Sequence, residues 1–310
     1  MTAFLIYDVT GATTDRPEML GTKEKFWLVP STDMGLPIVN FLFKVGRPGT
    51  GENWAEKVCC EILRSVDVAC ASYEFAVHER DAGVISKSLL SYNQSFAPAN
   101  MLLEGTVKDY DGRIRFRQKK YLVSSSLNLF DLRSIGSPSG MGAAHSKLKS
   151  SEVFVGYLVF DALVGNTDRH HENWGVIVDY TERYNPTYNL AATFDHASSL
   201  GRNETDAARL RRLTSKDKRD TVEAYASRAR SAFYGSAADE RTLVHGQVLD
   251  ELIRLKPDAT RYWARIFSGI SLNVYRDIFA RIDPELISDE AAQFAQRMLQ
   301  ANASLIKQYA

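Results

Sequence analysis

The chain has 310 residues, 45% of them hydrophobic, and its 38 Lys and Arg residues balance its 38 Asp and Glu residues. This length predicts a substantial core and about two lobes or domains, while zero net charge argues against a direct nucleic-acid binder, a local basic patch aside. No segment approaches the roughly 18 apolar residues of a membrane span, and the first residues do not resemble a signal peptide. Three cysteines suit a reducing compartment. We therefore expect a cytoplasmic protein or an effector translocated without an N-terminal signal.

The first part of the chain predicts a small β-rich lobe over residues 1–88. Apolar runs predict strands at 25–30, 38–45, 72–78 and 83–88. Apolar residues at helical spacing predict one helix at 52–66. Because side chains alternate along a strand, Leu42 and Lys44 are expected to face the same side.

The remainder, residues 89–310, predicts a larger helical lobe. A helix over 147–164 is apolar almost all round, which is typical of a buried helix, and Gly165 is a suitable C-terminal stop. Two short strands, at 174–180 and 190–194, follow. Helices are then predicted at 205–233, 238–255, 259–282 and 288–309. The fold class is therefore α+β, with two lobes.

Three polar residues stand around the predicted strand pair of the second lobe. Asp168 and Asn173 lie in the loop before the first strand, and Asp195 leaves the end of the second. A strand pair of this kind folds Asp195 back beside Asn173. A carboxylate base with an amide and a second carboxylate to hold Mg²⁺ suits metal-assisted phosphoryl transfer. The alternative is that Asp168 and Asn173 are ordinary turn and capping residues.

Histidines near these residues raise the alternative of a metallohydrolase. His170 and His171 are adjacent and His196 follows Asp195, so none has the spacing of a helical zinc pair. We expect His170 to support the catalytic loop by hydrogen bonding. We expect His171 to lie at the surface or behind the site.

Lys44, on the strand before the first helix, is a candidate to neutralise nucleotide phosphates. Glu56 of that helix is the chosen partner for its ammonium group, and Glu52 and Glu61 are rivals. The alternative is that Lys44 ends an edge strand and extends its charge into water.

A short polar segment at the start of the strand predicted at 25–30 is a candidate phosphate loop, since backbone N–H groups and lysine charge can cover phosphates. An ordinary surface turn is the alternative. The segment consists of Gly21, Thr22, Lys23, Glu24 and Lys25. A candidate adenine-contacting hinge lies in the strand at 83–88, at Ile85, Ser86 and Lys87.

Taken together, these residues resemble the HipA-like serine/threonine kinases, bacterial relatives of eukaryotic protein kinases. The part most similar to that family's N-x-D-x-H-x-x-N catalytic loop is Asn166-Thr167-Asp168-Arg169-His170-His171-Glu172-Asn173. The segment Phe194-Asp195-His196-Ala197-Ser198-Ser199 resembles the family's metal-binding segment. The resemblance implies a bilobal kinase-like fold, Asp168 as catalytic base, and Asn173 and Asp195 as metal ligands. It also places Lys44 at the family's strand lysine and residues 21–25 at its phosphate loop.

The phosphate loop begins near Met19, so the N-terminal subdomain of full-length HipA toxins is expected to be missing. This arrangement is similar to the short members, which are HipT-type toxins and stand-alone or translocated kinases. The resemblance further implies an antitoxin-type protein partner and autophosphorylation in the phosphate loop, where Thr22 carries the hydroxyl.

The sequence therefore favours an ATP- and Mg²⁺-dependent protein serine/threonine kinase, a toxin or effector, whose substrate is a protein with a Ser or Thr acceptor. No direct nucleic-acid or membrane partner is expected. Two alternatives stay open: a kinase of a lipid or another small molecule, and a nucleotide-binding but catalytically silent partner of an antitoxin.

Overall fold

The computed structural model of the protein describes residues 2–17, 24–132, 134–182 and 184–310, with backbone only at 15–17. Its first sheet has six strands in the order β1-β5-β6-β4-β3-β2. Their bounds are β1 Ile6–Asp8, β2 Thr13–Pro17, β3 Lys25–Val29, β4 Phe41–Val45, β5 Tyr73–His78 and β6 Asp81–Lys87. The pairs are antiparallel except β1 with β5.

Four of these strands, β3 to β6, were predicted, although β4 begins later than residue 38. Strands β1 and β2 were missed because they are short and carry few apolar residues. Helix α1, Glu52–Ser65, connects β4 to β5 as predicted. Its buried apolar stripe includes Trp54, Val58 and Ile62, and this stripe faces the core.

The second sheet has four strands in the order β7-β9-β10-β8. They are β7 Gln94–Pro98, β8 Ile135–Gly136, β9 Gly175–Asp179 and β10 Thr187–Leu190. The strand predicted at 190–194 was wrong in its bounds, because β10 ends where that range begins. Residues beyond it bond elsewhere: Thr193 exchanges backbone hydrogen bonds with Ala69 and Ala71, at 3.2 and 2.9 Å, in the segment before β5. This bridge ties the chain ahead of Asp195 to the first lobe.

Nine α-helices complete the described part of the second lobe. They are α2 Ala99–Glu104, α3 Val123–Leu132, α4 Ser150–Val164, α5 Asp206–Thr214, α6 Val222–Ala226, α7 His245–Leu255, α8 Pro257–Ser268, α9 Leu272–Phe279 and α10 Asp289–Ile306. Helix α4 is buried on all sides, as predicted, and ends at Gly165 with a left-handed φ of 65°.

Two helices predicted as continuous are broken. The range 205–233 divides into α5 and α6, because Ser215 is extended and the Thr221 hydroxyl caps α6 by accepting a hydrogen bond from the Ala224 N–H. The range 259–282 divides at Gly269, and Ser271 caps α9. The helix predicted from 238 begins only at His245. Short capping residues inside a helical pattern were the signals overlooked.

A large hydrophobic cluster joins the two lobes. It contains Phe75 of the first sheet together with Phe160 of α4 and Trp263 of α8. Trp263 packs so closely on α4 that a Cβ at Gly156 would lie 2.4 Å from its ring. The lobe boundary at residue 88 stays a prediction. Among the described residues, no helix is both long and apolar enough to cross a bilayer.

Candidate active site

A cleft of about 960 Å³, open to solvent, lies between the two sheets. The first lobe contributes Lys25, Trp27, Leu42 and Lys44 to its lining, and the second contributes Asn173 and Asp195 among others. Leu42 and Lys44 share this face as predicted, while Phe43 between them is buried in a separate core cluster. The cleft therefore brings the predicted lysine and the two predicted metal ligands together.

Lys44 is held by three oxygen atoms. Its Nζ lies 3.0 Å from Glu56 Oε1, 3.1 Å from Asp195 Oδ1 and 3.2 Å from the Tyr73 hydroxyl. Burial alone would lower the pKa of Lys44, but Asp195 and Glu56 outweigh it and hold that pKa well above its usual value. The lysine is thus a fixed positive charge at the floor of the cleft, not a snorkelling edge residue.

Glu56 links α1 to the segment of the second lobe that contains Asp195 and His196. One carboxylate oxygen binds Lys44, and the other accepts a hydrogen bond of 2.8 Å from the His196 backbone N–H. The rival carboxylates are engaged elsewhere, because Glu52 pairs with Arg47 and Arg202, and Glu61 pairs with Lys57 and Arg64. The predicted choice of partner for Lys44 therefore agrees with the geometry.

Asp195 is positioned by its backbone as well as by Lys44. Its φ of 59° is left-handed, a conformation that Asp adopts more readily than most residues. Its backbone N–H donates to the Tyr73 hydroxyl at 3.2 Å. Tyr73 is buried, and burial raises the pKa of its hydroxyl, which therefore stays protonated. Tyr73 thus binds both Lys44 and the Asp195 backbone.

The loop at 166–173 is organised around a buried ion pair between Arg169 and Asp161 of α4. The guanidinium binds both carboxylate oxygens, at 2.8 and 2.9 Å. It also donates to the backbone oxygens of Asn173 and Phe194, at 2.7 and 3.0 Å. Burial disfavours the charged guanidinium, but Asp161 more than compensates and the pKa of Arg169 is raised. One side chain thereby holds together the two segments that carry the predicted metal ligands.

The Asn173 side chain folds back onto the backbone of Asp168 within this loop. The Asn173 side-chain amide donates to the Asp168 backbone oxygen at 2.8 Å, so the amide oxygen is the atom left to face a ligand. The Asp168 backbone N–H in turn donates to Asn166 Oδ1 at 3.0 Å. The Asp168 side chain is 34% exposed, and it can therefore be reached by a substrate.

The histidines are buried and each has a polar neighbour. His170 Nε2 lies 2.8 Å from Arg115 Nη2, His171 Nδ1 lies 2.6 Å from the Tyr110 hydroxyl, and His196 Nε2 lies 2.9 Å from Arg169 Nη2. Burial and the charge of Arg115 lower the pKa of His170 to about 3 and that of His171 to about 4.

His170 Nδ1 accepts a hydrogen bond of 3.1 Å from the Glu172 backbone N–H, the kind of support that was predicted. Of the two positions predicted for His171, the surface one is wrong, because this residue is buried; a position behind the site agrees with its burial. Among the described residues no group of three or more His, Cys, Asp or Glu is arranged to hold a metal, so a histidine metal centre gains no support.

The nucleotide-facing predictions have mixed outcomes. Gly21, Thr22 and Lys23 lie outside the described residues, Lys25 lines the cleft, and the Glu24 backbone oxygen pairs with the Val45 N–H. Ser86 and Lys87 line the cleft, but the Ile85 side chain does not, because alternation along β6 turns it into the core. The lining continues through Ser88, Leu89 and Leu90, which lead toward β7 and were not predicted.

Sequence reasoning also missed several residues that shape the site. These are Tyr73, Arg115, Asp161, Arg169 and Phe194. Arg169 and Phe194 stand inside the recognised segments, so their positions were a usable signal. Tyr73 and Arg115 reach the site from distant parts of the chain, and their neighbouring residues contain no motif.

The site has the ligand chemistry that a nucleotide with a divalent cation requires. An amide oxygen of Asn173 and a carboxylate of Asp195 are hard oxygen donors, which Mg²⁺ prefers, and two protein ligands leave positions for phosphate oxygens and water. The lysines that line the same cleft, Lys25 and Lys44, supply positive charge for phosphates. The residues present therefore fit ATP and Mg²⁺.

Comparison with known proteins identifies the fold. The structure matches the proinflammatory kinase CtkA of Helicobacter pylori with a TM-score of 0.73 and 17% identity, over 98% of each chain. It matches HipA of Shewanella oneidensis, solved with HipB and operator DNA, with a TM-score of 0.46 and 11% identity, over 99% of this chain and 65% of HipA. No protein-family model and no curated protein sequence matches significantly. The likeness to CtkA confirms the predicted α+β kinase-like fold.

Proposed function

We propose that the protein is an ATP- and Mg²⁺-dependent serine/threonine protein kinase of the HipA-like type. The observation that carries the proposal is the convergence of Lys44, Asn173 and Asp195 on one cleft, with the Asn173 side chain hydrogen-bonded to the backbone oxygen of Asp168. The kinase-like fold supports it, because phosphoryl transfer depends mainly on positioning and charge neutralisation.

Each residue has a role that its contacts support. Lys44, held by Glu56, binds and orients the phosphates of ATP. Asn173 and Asp195 hold Mg²⁺, which when bound neutralises charge on the transferred phosphoryl group. Asp168 orients the acceptor hydroxyl and accepts its proton. Arg169 keeps the catalytic and metal-binding segments in register.

The acceptor is proposed to be a serine or threonine hydroxyl of a protein. The motif resemblance to HipA-like kinases and the fold shared with a proinflammatory kinase favour a toxin or effector that acts on proteins. An antitoxin-type partner, phosphorylation of Thr22 and a cytoplasmic or translocated location belong to the same proposal.

The proposal is tested by incubating the purified protein with γ-labelled ATP and Mg²⁺, alone and with bacterial and host lysates. Asp168→Asn is expected to reduce transfer to protein about 10²- to 10⁴-fold, the usual contribution of a general base, while ATP binding persists. Asp258→Asn is a matched control, because the Asp258 side chain is 100% exposed. Label on metabolites alone, or equal transfer by wild type and Asp168→Asn, would refute the proposal.

A further inference from the structure

A second pocket, of about 880 Å³ and open to solvent, lies beside the proposed catalytic loop. The segment after Asp195, the end of α6 and the loop that follows α6 form its walls. Among the residues that the structure describes, its lining contains no Asp or Glu and four arginines: Arg202, Arg212, Arg228 and Arg230. In a chain with no net charge, this concentration of one sign marks the pocket as a candidate anion site.

Two of these arginines have their charge compensated within the protein. Arg202 contacts Glu52 and donates to Ser198 Oγ at 3.0 Å. Arg212 pairs with Glu204 at 3.1 Å and with Asp220 at 2.8 Å. They hold the pocket in shape, since each connects separate segments of the chain.

The other two have no carboxylate partner among the described residues. Arg228 donates to the Arg219 backbone oxygen at 2.7 Å, and Arg230 donates to the Thr242 backbone oxygen. A carbonyl bond orients a guanidinium but leaves its full charge uncompensated. Both side chains are exposed at the pocket, so they are available to a phosphate or carboxylate, which arginine can bind with two parallel hydrogen bonds.

The pocket adjoins the loop that carries Asp168, the proposed base. Thr167 lines the pocket and precedes Asp168, the proposed base, in the chain. Its backbone N–H donates to the Ser198 oxygen at 3.1 Å, which fixes the catalytic loop against the pocket wall. Because consecutive Cα atoms are only about 3.8 Å apart, the loop that carries Asp168 runs directly beside the pocket.

We infer that the arginine-lined pocket binds an anionic side chain, phosphorylated or acidic, that flanks the acceptor serine or threonine of a protein substrate. This inference rests on the proposed function and extends it by naming the substrate class. Arg228 and Arg230 would supply the recognition, while Asp168 acts on the neighbouring hydroxyl. A phosphate and a carboxylate share the required chemistry, and the experiment separates them.

The test is a positional-scanning library of serine and threonine peptides carrying Glu, phosphoserine, Gln or Lys at each flanking position. Wild type is expected to favour Glu or phosphoserine over Gln at one position, with Lys worst. In the double variant Arg228→Gln/Arg230→Gln, kcat/KM for the anionic peptide should fall at least about tenfold, the loss expected for charge-assisted bonds. Transfer to the Gln peptide and the KM for ATP should not change.

Arg254→Gln/Arg261→Gln is the charge-matched control. Each of these arginines forms a surface ion pair with a carboxylate three residues earlier in its own helix, Glu251 and Asp258 respectively. Fluorescence anisotropy with labelled anionic peptide, in an Asp168→Asn background, measures binding without turnover. Weaker peptide binding by the Arg228/Arg230 variant supports the pocket even if no peptide is phosphorylated. A lack of phosphorylation by itself counts only against the kinase proposal. Absence of any charge preference, or a preference unchanged in the variant, overturns the inference.

Discussion

Replacing Glu56 by glutamine tests the buried network beneath the cleft with almost no change of shape. The Glu56 carboxylate receives two donors on separate oxygens, the Lys44 ammonium at 3.0 Å and the His196 N–H at 2.8 Å. A glutamine has only one side-chain acceptor oxygen. Whichever way its amide turns, an NH₂ group must face one of the two donors.

The size of the effect follows from these contacts. Losing a hydrogen bond to a charged group costs about 1.5–3 kcal/mol. The repulsion between the glutamine NH₂ group and the donor that it faces increases this cost. Lys44 keeps Asp195 at 3.1 Å, so the loss should stay below the ~5 kcal/mol seen when a buried charge loses its partner entirely. We expect Glu56→Gln to lower the free energy of unfolding by about 2–4 kcal/mol and to raise the KM for ATP.

Urea denaturation of the protein without nucleotide measures this loss. Glu251→Gln is the control, because its pair with Arg254 is a surface contact expected to contribute at most about 1 kcal/mol. A double-mutant cycle with Lys44→Met should give a coupling of at least ~1.5 kcal/mol. If Glu56→Gln lowered the free energy of unfolding no more than Glu251→Gln does, the buried network would be contradicted. Additive effects of Glu56→Gln and Lys44→Met in the cycle would contradict it as well.

Three further outcomes are expected. Tyr73→Phe removes a hydroxyl that accepts from two buried donors, so it should cost about 1–3 kcal/mol of unfolding free energy, whereas Tyr92→Phe at an exposed site should cost nothing measurable in the same denaturation assay. Arg169→Gln leaves a buried carboxylate unpaired and should cost about 3–5 kcal/mol and abolish transfer; a stable, active variant would be inconsistent with its proposed role. The lowered pKa values of His170 and His171, about 3 and about 4, mean that below pH 6.5 the unfolded chain takes up protons that the folded chain does not. The free energy of unfolding should therefore fall from pH 6.5 toward pH 4, by up to about 1.4 kcal/mol per pH unit for each histidine. Denaturation curves measured across this pH range should show a shallower fall for His170→Asn. An unchanged pH dependence in that variant would count against the lowered pKa of His170.

The elements predicted well are those whose signal is local. The apolar stripe of α1 and the uniformly apolar α4 predict helices without reference to the rest of the chain. The alternation in β4 likewise placed Lys44 on the cleft face. Helices α5 and α6 were merged because the break between them depends on a short polar cap inside a helical pattern.

The site shows the same division between local and distant information. Asp168, Asn173 and Asp195 stand in two recognisable segments; the fold brings Asn173 and Asp195 to the cleft, and the Asn173 side chain donates to the Asp168 backbone oxygen. Tyr73 and Arg115 could not be predicted, because their roles depend on β5 and a loop packing against residues far along the chain. The predicted hinge was confined to β6, where the Ile85 side chain lies in the core, whereas the cleft lining continues into the segment after β6; adenine contact by the hinge stays a prediction.

The central claim is transfer of the ATP γ-phosphoryl group to a protein hydroxyl, and isotope-resolved mass spectrometry tests it most directly. The protein is incubated with Mg²⁺ and ATP labelled with ¹⁸O in the γ-phosphate, in dephosphorylated lysate. We expect heavy phosphoserine or phosphothreonine that is absent with Asp168→Asn or Asp195→Asn and present with Asp258→Asn. Heavy phosphate on no protein, or the same heavy sites with all three variants, would contradict the account.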